Sequence, residues 1–258
     1  MIAIGPVEKH LIERTKKGPI CAALIDPEDF SPKQAADTAA KAIGAGASLI
    51  LVGGSTLANQ GRLDAVVRAI RSHTRSQSGH TKSQEVPVVL FPGNITGVSR
   101  YADAILFSSL LNSTNPYFII GAQALGSTEV YKSKIESIPM AYLVFGNNSA
   151  TSFIGQVNSL PTSKPNLAVI YALAAQYLGM RTLYLEAGSG AGEPIPQGTI
   201  QAVRKVYDGI LIVGGGITTP EAAAKAAKSG ADILVIGNLL QSFGFEAALN
   251  QIVKTLKH

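Results

Sequence analysis

Eight short apolar runs recur along this chain of 258 residues, and helical stretches separate most of them. Several runs are continuously apolar rather than alternating, which is typical of strands in a parallel sheet that is covered on both faces. The predicted strands are Ile20–Ile25, Leu49–Val52, Val86–Phe91, Ala104–Phe107, Ala141–Phe145, Thr182–Leu185, Gly209–Val213 and Ile233–Ile236.

Alanine-rich segments with helical spacing lie between these runs. The predicted helices are Lys33–Ala45, Leu57–Arg71, Leu167–Leu178, Thr199–Tyr207, Pro220–Ser229 and Phe245–Leu256. A hydroxyl residue followed by proline, Ser31-Pro32 and Thr219-Pro220, marks two of the helix starts. Eight strands alternating with helices in a chain of this length predict one α/β domain over residues 1–258, a closed (β/α)8 TIM barrel. A doubly wound open sheet is the alternative.

The third repeat departs from this pattern. Only about a dozen residues, PGNITGVSRY followed by Ala102 and Asp103, separate the third and fourth predicted strands, too few for a helix together with the loops at its two ends. A crossover helix between parallel strands needs a dozen residues or more. We therefore expect a barrel whose third helix is missing or irregular, unless one of the strands is misassigned.

The composition excludes several classes of function. Hydrophobic residues make up 46% of the chain, but no apolar run has the roughly 20 residues of a membrane-spanning helix. The first residues lack the apolar segment of a secretory signal, and the single cysteine, Cys21, lies in an apolar run. We therefore expect a cytoplasmic protein with a buried thiol. The net charge of +5 is modest, and the one basic segment, Arg68 to Lys82, has no interleaved aromatics, which argues against nucleic-acid binding.

Glycine-rich turns follow the last three predicted strands. YLEAGSGAG over 184–192 follows the sixth strand, VGGGI over 213–217 ends the seventh, and VIGN over 235–238 ends the eighth. Glycine permits positive φ and lets backbone N–H groups approach an anion. In phosphate-binding barrels the anion lies between the loops after strands seven and eight. Turns in these consecutive places favour a phosphate site over purely structural turns, which are the alternative.

Side chains with oxygen ligands follow the first two strands. Asp26 comes directly after the first strand, and Ser55 follows the second. Mg²⁺ keeps several waters and needs only one or two carboxylates together with substrate phosphates. The pair is therefore compatible with a magnesium site at the barrel mouth. On spacing alone, a turn or helix-cap role is equally well supported.

Glu186 is the candidate general base. It lies within the predicted phosphate site, where it could accept a proton from a hydroxyl of a bound ester. A structural carboxylate that accepts loop N–H bonds is nearly as well supported. Tyr184 points to the same interior and either contacts the ligand or packs in the core. The four histidines, which fall in helices or polar loops without a metal-ligand spacing, are His10, His73, His80 and His258.

The segments LIDPED, LVGGST, YLEAGSG, VGGGI and VIGN together resemble the geranylgeranylglyceryl phosphate synthase family, which is related to the bacterial PcrB prenyltransferases. The stretch LNSTNPY over 111–117 also resembles that family's segment after the fourth strand. Each motif is weak alone, but their order and spacing are specific and cover most of the chain. The family's barrel similarly lacks a regular third helix.

The resemblance implies a prenyltransferase that joins sn-glycerol 1-phosphate to a prenyl diphosphate, expected to be geranylgeranyl diphosphate, with Mg²⁺ as cofactor. This is the first step of archaeal-type membrane lipid synthesis. Asp26 and Ser55 match the family's magnesium positions, and Glu186 matches the residue that takes the hydroxyl proton. The residues that match the glycerol phosphate site are Tyr184, Leu185, Glu186, Ala187, Gly188, Ser189, Gly190, Gly215, Gly216, Gly237 and Asn238.

One position departs from the PcrB pattern. In that branch a lysine lies two residues before the magnesium aspartate, whereas this chain has Leu24, which indicates the archaeal-type branch. The stretches Ile105–Leu111 and Tyr117–Ile120 are candidates for an apolar trench that holds the prenyl chain. A heptaprenyl or other donor, another sugar-phosphate barrel enzyme and a non-catalytic phosphometabolite sensor are the alternatives. We also expect a homo-oligomer, and a peripheral membrane contact through the prenyl substrate.

Overall fold

The computed structural model describes residues 3–56, 59–77, 86–146, 149–188 and 190–256. Within them, eight parallel strands close into one barrel in chain order, with the last strand paired to the first. The strands are β1 Ile20–Ile25, β2 Leu49–Val52, β3 Val88–Leu90, β4 Ala104–Leu110, β5 Glu136–Val144, β6 Thr182–Glu186, β7 Ile210–Gly214 and β8 Ile233–Ile236. The predicted TIM barrel is confirmed, and β1, β2 and β8 have the predicted bounds.

Helices accompany the strands. They are α1 Pro6–Thr15, α2 Pro32–Gly44, α3 Gln60–Gln77, α4 Ala122–Ser133, α5 Ala150–Ile154, α6 Pro165–Tyr177, α7 Gln197–Arg204, α8 Pro220–Lys228 and α9 Phe245–Thr255. Ser31 and Thr219 cap α2 and α8 by accepting backbone N–H bonds, as predicted. The predicted start of α3 at Leu57 lies outside the described residues.

A single turn of 3-10 helix, Ile95–Gly97, stands between β3 and β4. Asn94 begins the turn, because its side-chain oxygen accepts the backbone N–H of Ile95 at 2.8 Å. Residues 91–103 are all described, and they contain no α-helix. The prediction that the third helix is missing is therefore confirmed, and the outer face of β4 lacks its regular cover.

Sequence patterns missed three helices, α1, α4 and α5. A π-helical turn, Tyr117–Gly121, precedes α4, and the apolar residues of α4 do not form one buried stripe, since Leu125 and Tyr131 are exposed. Helix α5 has only five residues. The first half of β5 was also missed, because it contains Pro139 and proline is disfavoured inside strands.

The core has two layers because successive strand residues face opposite sides. The inner layer fills the barrel and includes Leu51, Leu106, Tyr142, Tyr184 and Ile212. The outer layer packs beneath the helices and holds Cys21, which is buried; burial raises the pKa of its thiol to about 12. This agrees with the prediction of a buried thiol. In the described part of the chain, no helix has the length and apolar character needed to cross a membrane.

Candidate active site

A cavity opens at the carboxyl ends of the strands. It is bordered by Asp26 and Ser55 of the predicted metal site, by the candidate base Glu186, and by Gly237 and Asn238 of the predicted phosphate site. The fold therefore brings residues of all three predicted roles to one place. No lysine or arginine is found among the described residues that line the cavity. An anion in it needs backbone N–H groups or a bound cation.

Asp26 lies against the loop after β2. Its Oδ1 accepts the backbone N–H of Glu28 at 2.9 Å, so the turn-forming role considered for this aspartate is present. Its Oδ2 faces Gly54, where an added Cβ would come within 1.9 Å of that oxygen. Burial raises the pKa of Asp26, and the Glu28 N–H bond opposes the rise. Glycine at position 54 therefore allows the carboxylate to approach the backbone next to Ser55.

The Ser55 hydroxyl has a partner that the sequence did not indicate. Ser55 Oγ lies 2.9 Å from Thr151 Oγ1, on α5. Thr151 and Tyr142 also line the cavity. No motif marks either residue, since α5 follows a polar stretch and Tyr142 lies in an apolar strand. Among the described residues, no three His, Cys, Asp or Glu side chains form a metal cluster; His80 and His258 are outside them.

Glu186 is 6% exposed and still borders the cavity. Its Oε1 accepts the backbone N–H of Gly188 at 2.6 Å, as the structural alternative predicts. Burial raises the pKa of Glu186, while this bond and the nearby Tyr184 hydroxyl oppose the rise. A carboxylate whose pKa is raised is a stronger base once it is ionised. Glu186 can therefore accept the Gly188 N–H bond within the loop and still act as a base.

Tyr184 packs beneath the cavity rather than along it. Its ring is fully buried, stacks on Phe91 at 5.2 Å and meets Tyr142 edge-on at 5.2 Å. Its hydroxyl is buried and has no well-formed hydrogen bond with the described residues. Gly214 is required beside it, because an added Cβ there would lie 2.1 Å from the hydroxyl oxygen. Tyr184 therefore packs in the core beneath the candidate base Glu186 and does not border the cavity.

The glycine turns after β6, β7 and β8 converge as predicted. Gly188, Gly190, Gly215 and Gly216 all have φ between 71° and 114°. A Cβ on Gly215 would lie 2.9 Å from the backbone nitrogen of Gly188, and the nearest atom to one on Gly190 is Asn238 Nδ2 at 3.9 Å. The three turns thus lie close together next to Glu186, and we name this group of turns the glycine concavity; of its residues, Gly237 and Asn238 border the cavity.

Three other residues of the predicted phosphate site have different positions. Leu185 is fully buried in the outer core layer, and Ala187 packs partly against that layer. The Leu185 side chain therefore points away from the concavity, whereas the Ala187 methyl group lies beside Gly215, where it would be 2.9 Å from an added Cβ. Ser189 lies outside the described residues.

The cavity extends over the outer face of β4. Ile105 and Phe107, from the first predicted trench segment, line it, whereas the second segment supplies only Phe118. Ile105 and Phe107 belong to the outer core layer, so this arm lies outside the barrel wall. Sequence reasoning missed the opposite wall of the arm, which consists of Ile95, Val98, Ala122, Gly126 and Val130.

Comparison with known proteins identifies the family. Residues 13–256 match the model of the PcrB family. A geranylgeranylglyceryl phosphate synthase of Thermococcus gammatolerans is 49% identical over 95% of this chain and 93% of its own length, and one of Cenarchaeum symbiosum is 48% identical over 96% and 97%. The crystal structure of the Thermoplasma acidophilum (S)-3-O-geranylgeranylglyceryl phosphate synthase, in complex with its substrate sn-glycerol-1-phosphate, superposes with a TM-score of 0.91 at 37% identity, covering 98% of this chain and 99% of that one. The chain therefore belongs to the PcrB family and, within it, to the geranylgeranylglyceryl phosphate synthases.

Proposed function

We propose that this protein is a Mg²⁺-dependent prenyltransferase that forms an ether bond between sn-glycerol 1-phosphate and geranylgeranyl diphosphate. One observation carries the proposal: a single cavity joins Asp26 and Ser55, the buried carboxylate Glu186, the end of the glycine concavity and an apolar arm. A phosphorylated alcohol, a diphosphate and a long hydrocarbon chain need those four environments together. The names of the relatives agree with this activity.

The glycine concavity is the proposed place for glycerol phosphate. Positive φ at Gly188, Gly190, Gly215 and Gly216 turns backbone N–H groups in a way that suits an anion. Glu186 lies beside these turns, since an added Cβ on Gly215 would meet its Oε1 at 2.5 Å. A hydroxyl of the bound ester would then be near a base that is sheltered from water.

The cavity lining supports a cation at Asp26 and Ser55. Asp26, Asp29 and Glu186 are acidic, and the described lining residues supply no positive side chain to hold a diphosphate. Leu24 also borders the cavity, and it occupies the position where the bacterial PcrB prenyltransferases have a lysine. The Asp26 carboxylate lies against the Gly54 backbone, where an added Cβ would be 1.9 Å from its Oδ2, and this places it next to Ser55. Bound Mg²⁺ would neutralise the charge that develops on the departing diphosphate.

The chain's own residues account for the rest of the reaction. The hydroxyl oxygen of glycerol phosphate forms a bond to the allylic carbon as that carbon's bond to diphosphate breaks, and diphosphate leaves with the electron pair. Glu186 takes the hydroxyl proton. The apolar arm along Ile105 and Phe107 would hold the hydrocarbon chain and keep water from the allylic carbon. Positioning and charge neutralisation supply most of the acceleration in such a site.

A product assay tests the proposal. The protein is mixed with sn-glycerol 1-phosphate, Mg²⁺ and farnesyl, geranylgeranyl or heptaprenyl diphosphate, and the ether product is quantified for each donor. We expect the geranylgeranyl ether as the main product, with Asp26→Ala inactive and the exposed control Asp37→Ala fully active. Binding of glycerol phosphate without turnover of any donor would instead indicate a sensor. Unchanged turnover of Asp26→Ala at saturating Mg²⁺ would remove Asp26 from the mechanism.

We also propose that the protein is a homo-oligomer. Helix α6 and the residue after it expose Ile170, Tyr177 and Leu178 at 62%, 80% and 70%. Large side chains exposed together on one element are typical of a protein interface. Sedimentation should give a mass above one chain, and Ile170→Lys should lower it; a monomeric wild type would refute this proposal.

A cytoplasmic site of action with a peripheral membrane contact is the last part of the proposal. Phe153 on α5 is 85% exposed, and Phe243, just after the cavity-lining Gln241, is 108% exposed. Exposed aromatics beside an apolar cavity suit delivery of a lipid substrate from a membrane surface. Flotation with phospholipid vesicles should recover the wild type and lose the Phe153→Ser/Phe243→Ser variant; equal recovery would exclude this contact.

A further inference from the structure

A hydrogen bond between two hydroxyl groups crosses the barrel mouth. Thr151 lies on α5, after β5, and Ser55 lies on the loop after β2, two strands that are not neighbours in the barrel. Their oxygen atoms are 2.9 Å apart, and both residues border the cavity. The bond therefore ties α5 to the side of the cavity that holds Asp26.

The local structure sets the position of Thr151. Ser149 and Ser152 close the first turn of α5 reciprocally, with each backbone N–H donated to the other's hydroxyl at 3.1 Å. Thr151 lies inside that closed turn. Tyr142 also belongs to the cavity lining, and the pKa of its hydroxyl is raised by burial and by the charge of Glu186. The first turn of α5 thus holds the Thr151 hydroxyl at Ser55.

A serine that binds a cation must direct its proton elsewhere. The oxygen offers its lone pairs to the ion, so the O–H has to donate to another acceptor. Thr151 Oγ1 lies within hydrogen-bond distance of Ser55 Oγ, so it can accept the Ser55 proton. This direction of donation leaves the Ser55 lone pairs free for an ion held by Asp26.

We infer that Thr151 is a positioning residue for the divalent-cation site, which holds the Ser55 hydroxyl with its oxygen turned toward the ion. Thr151 itself does not touch the ion or the reacting atoms. The inference rests on the proposed function, because it takes Asp26 and Ser55 as the metal residues. Thr151 would thus contribute to the proposed metal site from the opposite side of the barrel mouth, and this role gives a reason for the hydrogen bond that holds α5 at Ser55.

Two substitutions at one position separate the hydroxyl from the shape of the side chain. Thr151→Val keeps the shape and removes the hydroxyl, whereas Thr151→Ser keeps the hydroxyl. Mn²⁺ binding to the full chain in the presence of inorganic diphosphate is measured by electron paramagnetic resonance. We expect Thr151→Val to weaken Mn²⁺ binding roughly five- to tenfold, the effect of one lost hydrogen bond, and Thr151→Ser to stay within about twofold of wild type.

Two further measurements exclude a general structural effect. The Kd for sn-glycerol 1-phosphate, from calorimetry, should be the same in wild type and both variants, and the Tm of Thr151→Val should fall by no more than about 4 °C, the effect of one lost hydrogen bond. Equal Mn²⁺ affinity of Thr151→Val and wild type would overturn the inference, as would an equal loss in Thr151→Ser or a parallel loss of glycerol phosphate affinity.

The matched variant Ser55→Ala separates this inference from the proposed function. If Ser55→Ala weakens Mn²⁺ binding and Thr151→Val does not, the metal site stands and the role of Thr151 is refuted. If neither Ser55→Ala nor Asp26→Ala changes Mn²⁺ binding, the proposed metal site is itself wrong, and the inference fails with it.

Discussion

At Gly215, the addition of a single methyl group should reduce the catalytic rate far more than it reduces the stability of the fold. Its φ is +82°, and an added Cβ would lie 2.5 Å from Glu186 Oε1 and 2.9 Å from the backbone nitrogen of Gly188. Gly215→Ala therefore places a carbon against the candidate base and the glycine concavity together. Few other changes in the chain are as small and as close to the proposed chemistry.

The size of the effect follows from these distances. A side chain at positive φ costs roughly 1–2 kcal/mol, which for a protein of this length lowers the Tm by about 2–8 °C. To reach ordinary contact with the new Cβ, the Glu186 oxygen must shift by about 0.9 Å. A misplacement of about 1 Å at a catalytic group can reduce the rate ~100-fold. We expect a loss of kcat/KM near that size with a small change in Tm.

The assay compares Gly215→Ala with a glycine that has open space around it. Gly192, in the turn after β6, has nothing within 4 Å of an added Cβ and no positive φ, so Gly192→Ala should retain the wild-type rate and Tm. Ether formation is measured at saturating prenyl donor, and thermal unfolding is followed by circular dichroism. If Gly215→Ala lowered the Tm and left kcat/KM unchanged, then either Glu186 is not the base or its carboxylate does not lie beside Gly215.

Two other predictions concern buried charge. Because burial raises the pKa of Glu186, the transfer rate should fall on acidification at a higher pH than an ordinary glutamate would give, and Glu186→Gln should be inactive. Because the pKa of Glu186 is raised in the folded state, the stability of the wild type decreases as the pH rises through that pKa. Glu186→Gln should therefore have a higher Tm than the wild type at neutral pH, and this difference in Tm should vanish below the ordinary pKa of 4.5. A difference in Tm that persists below pH 4.5 would contradict the reasoning. Glu8 is 1% exposed and accepts two bonds from Arg181, at 2.6 and 2.8 Å, so Arg181→Met leaves a buried carboxylate unpaired. It should cost about 3 kcal/mol, a fall in Tm of roughly 6–12 °C, with glycerol phosphate binding unchanged; an unchanged Tm would show that the ion pair does not stabilise the fold.

The barrel was predictable because its strands are buried on both faces. Uninterrupted runs such as Leu49–Val52 can form little else between helices, and short connections leave few topologies. The missing third helix was predictable for a geometric reason, because a connection of about a dozen residues leaves too little chain for a helix together with the loops at its two ends. The elements that the sequence did not predict have weak local patterns. Helix α4 lacks a single apolar stripe, and a proline interrupts the strand pattern in the first half of β5.

The candidate site was predictable where it depends on strand ends and on glycine. The carboxyl ends of parallel strands meet at one mouth, so Asp26, Ser55 and Glu186 had to approach one another once their strands were recognised. Gly54 and Gly215 also carried a signal, since only glycine fits beside those carboxylates. Thr151 carried none, because its contact depends on how α5 crosses the mouth, which no local pattern specifies.

The apolar arm shows how the missing helix and the proposed substrate are related. In a regular barrel a helix would cover the outer face of β4, but here a 3-10 turn and α4 flank that face and leave a cavity over Ile105 and Phe107. Each Å² of apolar surface buried contributes about 25 cal/mol. Ile105 is already 2% exposed, so the stabilisation still to be gained on this face comes from partly exposed side chains such as Phe107. A prenyl chain in the arm would provide it by covering those side chains. If the arm holds the hydrocarbon as proposed, the helix missing from the fold leaves the apolar surface that binds it, which would explain why a barrel with the proposed phosphate site at its mouth has a cavity at β4.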